Sequence, residues 1–506
     1  MFIPAAVLLI VLPWLNPFAP GPSPAVVPLL FSWMCAAALF GTHRYTPGLT
    51  SNHRLVTMTA TAWLIAGLVS CAIGLFQYFG VGGDLLPWVS QAELGQAFGN
   101  LRQRNQFASL SSISLAALVW FAVRAPAARL PGHQQVLVWL AAGLLAAGNA
   151  ASSSRTGLVQ LFMLCTLAGV WGAWRRPWVL RVLLMSVATY IAAALLLPWL
   201  AGLDPTLHGA LARLHAGDDA CSSRLTLWSN VLHLIAQKPW LGWGWGELDY
   251  AHYTSAYNGP RFCDILDNAH NLPLHLAVEL GVPLAVLLCG GAVWWVLQRR
   301  PWAEADPARQ LAWSVLAIVL LHSLLEYPLW YGPFQMAVGL CVVMLWQRQP
   351  TAAGAVAENT KNRETKRQLR QSMYGFIAII IIAMCSYAAW DYHRISQLYL
   401  VPESRSAAYR VDTLAKVRGS WLFASQVQFA ELMLTPLEPG TAVWTFESAG
   451  ALLHYSPEPR VIEKRIEAAV MLGRDDDALA HLARYRTAFP AEHSKWSEGQ
   501  RLSKRD

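Results

Sequence analysis

Charge is scarce in this chain: 13% of its 506 residues are Asp, Glu, Lys or Arg, against 55% hydrophobic residues. That balance argues against a soluble domain, and it makes the net charge of +8 a poor sign of nucleic-acid binding. The eight Cys form no Cys-x-x-Cys pair, and no His/Cys cluster stands at metal-ligand spacing, so no metal or other cofactor is expected. Six of them, Cys35, Cys71, Cys165, Cys289, Cys341 and Cys385, sit in or beside apolar runs and read as small buried residues. Cys221 and Cys263 share one polar loop; they pair if that loop faces an oxidising compartment and are a coincidence otherwise. No basic segment precedes the first apolar stretch, which reads as a membrane anchor rather than a cleavable signal.

Long apolar runs fill the space that charge leaves. Spans are expected at 3–15, 25–40, 56–79, 106–123, 136–149, 157–173, 179–199, 272–297, 311–325, 333–346 and 373–389. The fold class is therefore an all-α polytopic membrane protein with about 11 (10–12) helices. The basic residues divide unevenly between alternate connections. With the N-terminus inside, 16 fall on the inner face, among them Arg44, Arg54, Arg124, Arg129, Arg175, Arg176 and Arg348, and only seven on the outer. This places 80–105, 149–156, the large loop 200–271 and 326–332 outside.

The outer arginines run against that trend. Arg102, Arg104 and Arg155 stand at span ends, and Arg224 opens an amphipathic stretch in the large loop. Snorkelling accounts for any one of them. Four on the same face as His270 point to an anionic ligand. Gln103 and Asn105 flank Arg104, Asn268 and Asn271 bracket His270, and Glu326 with Tyr327 lies at another outer edge, as an aromatic belt with a helix break or as part of the same cavity; with Arg102 and Arg104 these are the candidate substrate-binding residues. Asp267 is near enough in sequence to orient His270, whereas Asp218 and Asp219 read as solvated. Ser152 to Ser154 read as an N-cap, and the Trp/Gly run 238–246 as an interfacial turn.

The domain organisation follows. Residues 1–346 form the membrane domain with its large loop 200–271, 347–372 a basic cytoplasmic linker, and 373–390 the last span. Residues 391–506, expected on the outer face, carry 15 Lys+Arg and 15 Asp+Glu, and their helical pattern around GRDDDA suggests a tetratricopeptide-like helical domain for docking or stabilisation.

Several of these stretches together resemble one family. SRLTLWSN at 223–230, KPWLGWGWGEL at 238–248 and AHNLPLHLAVELGVPLAVL at 269–287 look like the signature region of the Wzy/WaaL superfamily of O-antigen polymerases, O-antigen ligases and PglL-type O-oligosaccharyltransferases. SSSRTG at 152–157 resembles that family's earlier arginine motif. GNLRQRNQFASL at 99–110 and HSLLEYPLWY at 322–331 look like the PglL branch. The resemblance implies glycosyl transfer at the periplasmic face of a bacterial inner membrane. It implies a lipid-linked oligosaccharide donor, on undecaprenyl pyrophosphate, and a periplasmic protein acceptor such as a pilin.

The chemistry fits the residue types. Cleaving the sugar C1–O bond develops negative charge on the pyrophosphate, which forked guanidinium groups stabilise. Arg155 and Arg224 are the first choices for that role, followed by Arg104. Imidazole titrates near neutrality, so His270 is suited to take the acceptor hydroxyl's proton. Direct attack implies metal-independent inversion. The rivals are an O-antigen ligase acting on lipid A–core, an O-antigen polymerase, a membrane transporter and a non-catalytic scaffold.

Overall fold

The computed structural model describes residues 2–42, 52–125, 131–215, 221–346 and 360–503, and among them all regular structure is helical. Arg44, Arg129, Arg348, Asp218, Asp219 and residues 347–359 of the expected linker lie outside the described residues. Six helices are long and apolar enough to cross a membrane: His53–Tyr78, Arg104–Arg124, Gly132–Ala151, Pro177–Leu200, Val282–Ala303 and Ser372–Tyr399. The other five expected spans are helices of 14 to 17 residues, shorter than the ~20 that the hydrocarbon core demands.

The chain divides into two compact units, Met1–Gly217 with Val296–Tyr387, and Asp218–Trp295 with Ala388–Asp506. In the first, helix Arg104–Arg124 is central. It contains neither Pro nor Gly, and it packs against Asn52–Tyr78, Gly132–Ala151, Arg155–Val170, Pro177–Leu200 and Pro307–Ser323. Two of its buried serines bond backbone, while Ser112 Oγ is buried without a partner among the described residues. Ser111 Oγ donates to Phe107 O at 3.1 Å, and Ser114 Oγ has Leu110 O at 2.8 Å and Trp63 O at 2.7 Å.

The glycine-rich segment before this helix is pinned by two buried amides. Gln77 Oε1 accepts the N–H groups of Phe98 and Gly99 at 3.1 and 2.8 Å, while its Nε2 donates to Ser90 O and Gly99 O. Asn100 Nδ2 donates to Leu15 O at 2.7 Å and Trp88 O at 2.9 Å. These bonds satisfy loop backbone that burial would otherwise leave orphaned.

In the second unit, helix Arg224–Gln237 presents Leu227, Val231 and Leu234 to a core shared with Leu248, Ala251, Phe262, Leu266, Ala269 and Val278. The apolar residues of 223–237 therefore do not share one face, since Leu225 and Leu232 point outward. Cys221 and Cys263 are joined by a disulfide, with Cα atoms 5.3 Å apart. Helix Leu248–Thr254 has two apolar faces. Leu248 and Ala251 belong to the loop core, whereas Tyr253 is buried among Phe446, Leu452, Ile462, Ile466 and Tyr485 of the C-terminal helices. Tyr253 Oη lies 3.0 Å from His481 Nδ1, and Tyr250 stacks on His454 at 3.7 Å. The large loop thus contributes Tyr250 and Tyr253 to the core of the C-terminal helices.

The expected span 272–297 is two helices, Leu272–Leu280 and Val282–Arg299. Gly281 breaks it with φ 88° and ψ 155°, a backbone state essentially closed to other residues. A Cβ on Gly281 would stand 2.1 Å from Trp240 O, and one on Gly242 2.4 Å from Glu279 O. The Trp/Gly turn is laced onto this break: Trp243 N donates to Val278 O at 2.8 Å, Gly244 N to Glu279 O at 3.0 Å, and Val282 N to Pro239 O at 2.8 Å. The glycines of the turn and the ELG sequence are two halves of one close approach.

Candidate functional site

In the first unit, the polar residues of the 99–110 stretch meet those of 322–331. Glu326 is buried, and its carboxylate accepts from Gln103 Nε2 and, at 2.5 Å, from Asn105 Nδ2. Asn105 Oδ1 in turn accepts from Ser154 Oγ at 2.5 Å. Ser154 is the N-cap of helix Arg155–Val170, accepting from Gly157 N at 3.0 Å. Glu326 is thus a hub holding two amides in place. Tyr327 stacks on Tyr331 at 6.1 Å and meets Trp330 edge-on at 6.4 Å.

The arginines of this unit differ in their engagement. Arg102, at φ 58°, donates to Pro17 O, which ties the loop to the first helix. Arg155 Nε and Nη2 donate to Arg213 O at 3.0 and 2.6 Å. Arg104 begins helix Arg104–Arg124, and Arg213 and Glu93 act on it electrostatically.

In the second unit, Arg224 follows the N-cap Ser223, whose Oγ accepts from Thr226 N at 3.1 Å. His270 has a left-handed backbone, φ 50°, between two asparagines. Asn268 Oδ1 accepts from His270 N at 2.9 Å, Asn271 Oδ1 caps helix Leu272–Leu280 through Leu274 N at 3.1 Å, and Trp228 Nε1 donates to Ala269 O at 3.1 Å. These asparagines hold backbone, so the imidazole is aimed by the chain path.

Asp267 feels the charge of His270, although burial pushes its carboxyl above the ordinary range. One helical turn past His270, burial drives His275 down to about 4, and His270 adds to that. Burial raises Glu279 to about 7 against the N–H groups of Gly246 and Leu248; His275 Nε2 lies 3.5 Å from its Oε2. Both residues precede the membrane-crossing segment, which starts at Val282.

Gln77, Asn100, Ser109, Gln160 and His322 join these networks without standing out in the sequence pattern. For His322 a signal existed: it stands four residues before Glu326 at the end of an apolar helix, where i and i+4 share a face. Gln77 and Gln160 had none beyond being amides inside spans.

Arg104, Arg155 and Arg224 share one local setting. Each is the first residue of its helix, where the free N–H groups and the positive dipole end already favour an anion. Residues 136–289 match the family described as O-antigen ligase, 97–122 that described as protein glycosylation ligase, and 310–503 the C-terminal part of the virulence factor membrane-bound polymerases. The chain is similar to the general O-oligosaccharyltransferase of Acinetobacter baylyi, 25% identical over 311 residues, which are 59% of this chain and 52% of that protein. It is also similar to the ComP-specific O-oligosaccharyltransferase of the same organism, 23% identical over 296 residues, 58% of this chain and 52% of the relative. The chain spans about half the length of these curated relatives.

Proposed function

We propose that this chain is a glycosyltransferase of the inner membrane that moves an oligosaccharide from undecaprenyl pyrophosphate to Ser or Thr hydroxyls of periplasmic proteins, pilins among them. The observation that supports this most is the placement of Arg104, Arg155 and Arg224 at helix starts. A cation there works against the helix dipole by about 0.3–1 kcal/mol, and a bound diphosphate reverses that cost while gaining forked hydrogen bonds. In this reading Arg155 and Arg224 hold the pyrophosphate oxygens as the C1–O bond breaks. His270 accepts the acceptor hydroxyl's proton, and the oxygen attacks C1 from the opposite side, so the anomeric configuration inverts. Arginine supplies the positive charge, and the route is written without a metal ion.

A second reading is an O-antigen ligase, which takes the same donor to lipid A–core. The match to the O-antigen ligase family over 136–289 favours it, since that region contains Arg155, Arg224 and His270. The deciding experiment gives purified protein the lipid-linked glycan with either a pilin-type protein or lipid A–core. Sugar on the protein supports the proposal, sugar on lipid A–core alone establishes the second reading, and sugar on neither ends both.

A further inference from the structure

We propose that His322 is a positioning residue that acts through Glu326 on the Gln103 and Asn105 amides, with Ser109 and Gln160 fixing its tautomer. This rests on the reading that the amide pair meets substrate, and it assigns residues which that reading leaves unused.

Proton accounting along the string carries the argument. Gln160, Ser109 and His322 are all fully buried. Gln160 Nε2 donates to Ser109 Oγ at 2.7 Å and faces Ile318 O at 3.5 Å, a carbonyl only an N–H can serve; this orientation gives that carbonyl a donor and leaves Gln160 Oε1 buried without a partner among the described residues. Ser109 Oγ lies 2.9 Å from His322 Nδ1. Among the described residues the Ser109 hydroxyl has no other acceptor, so its proton goes to Nδ1 and the imidazole proton sits on Nε2. Nε2 is 3.5 Å from Glu326 Oε2, a separation at which the proton steers the carboxylate without a formed hydrogen bond.

The consequence reaches the ligand side. With both Glu326 oxygens turned to amide N–H groups, and Asn105 Oδ1 taken by Ser154, Gln103 Oε1 is left as an acceptor. The array therefore offers an incoming hydroxyl, from sugar or acceptor, an oxygen rather than an N–H. Rotating Glu326 frees the Gln103 amide to turn over and reverses that polarity.

The test pairs a spectroscopic arm with a kinetic one on the full chain in lipid. Solid-state nitrogen NMR, assigned by the signal lost in His322→Gln, should show His322 protonated at Nε2, and Ser109→Ala should mix the two tautomers. Ser109→Ala and Glu326→Gln should each raise KM by about tenfold with a smaller change in kcat, and the double variant should be no worse than the weaker-binding single one. His322→Gln, whose amide bridges the same two partners, should retain more transfer than His322→Leu at equal protein levels. A wild-type Nδ1 proton, additive effects, or His322→Leu with unchanged KM and kcat would overturn the proposal. Wild-type protein that transfers to no acceptor removes the functional reading, while the tautomer still decides the string.

Discussion

The two polar constellations are built by opposite means. Around Glu326, side chain bonds side chain across 221 and 223 residues of sequence, and Asn105 meets Ser154 across 49. Around His270, asparagine side chains bond backbone within two or three residues. The first arrangement exists only while distant helices stay packed, and the second is set by turn chemistry at the site. A distributed network suits fixed recognition. A locally determined loop suits one reactive group that must be presented.

That contrast is broken most sharply at the imidazole proposed to act as base. His270→Ala should reduce glycan transfer by about 10²–10⁴ fold while the protein inserts and accumulates normally. Transfer at the wild-type rate would mean that the loop presents no base. Arg224→Lys comes next. It keeps the charge and loses the fork, so transfer to protein should fall substantially at unchanged protein level; full activity would make Arg224 a structural residue.

Stability separates the constellations further. Gly281→Ala forces a Cβ onto Trp240 O in a backbone state reserved for glycine, and it should destabilise the loop unit by at least about 3 kcal/mol, read as earlier protease cleavage of the large loop. Asn105→Ala removes one donor from a buried carboxylate, a loss of about 1–3 kcal/mol. Asn271→Ala removes a helix cap worth about 1 kcal/mol. Thermal unfolding should rank Asn105→Ala as the more damaging of the two, and the reverse order would deny that the distributed network is the more cohesive.

The same contrast explains what the sequence made legible. Hydropathy marks the helices because lipid and core both demand apolar side chains. It does not say which, since 83% of an 18-residue stretch of Arg104–Arg124 is buried against 6% of one in Val282–Ala303, at similar hydropathy. The break at Gly281 had a signal in Gly281 and Pro283, but the largely apolar run around them reads as one span, and the approach of Trp240 is what demands the glycine. Local capping by Ser154 was readable, because caps depend on neighbours in sequence. The Glu326 hub was not, because its partners become neighbours only after the helices pack. The sequence placed Glu326 at an outer edge and could not show that its oxygens meet Gln103 and Asn105.

The smallest effect lies where the loop is buried deepest. Glu279 has its folded value raised from 4.5 to about 7 by burial, so between those pH values the folded state holds more protons than the unfolded one. Its contribution to stability therefore falls as pH rises through that window, and the cost is fully present above it. His275 and His252 work the other way: burial lowers them from 6.5 to about 4 and about 3, so they favour folding as pH rises towards 6.5. Asp249, raised from 3.8 to about 7, sides with Glu279. Acids and imidazoles therefore act in opposite directions across this range. Glu279→Gln keeps an acceptor for the Gly246 and Leu248 N–H groups and removes one acid from the balance. Its stability relative to wild type should be higher at pH 8 than at pH 5, measured by thermal unfolding in detergent. An equal difference at both pH values would show that Glu279 titrates as an exposed carboxylate and that the turn does not seal it from water.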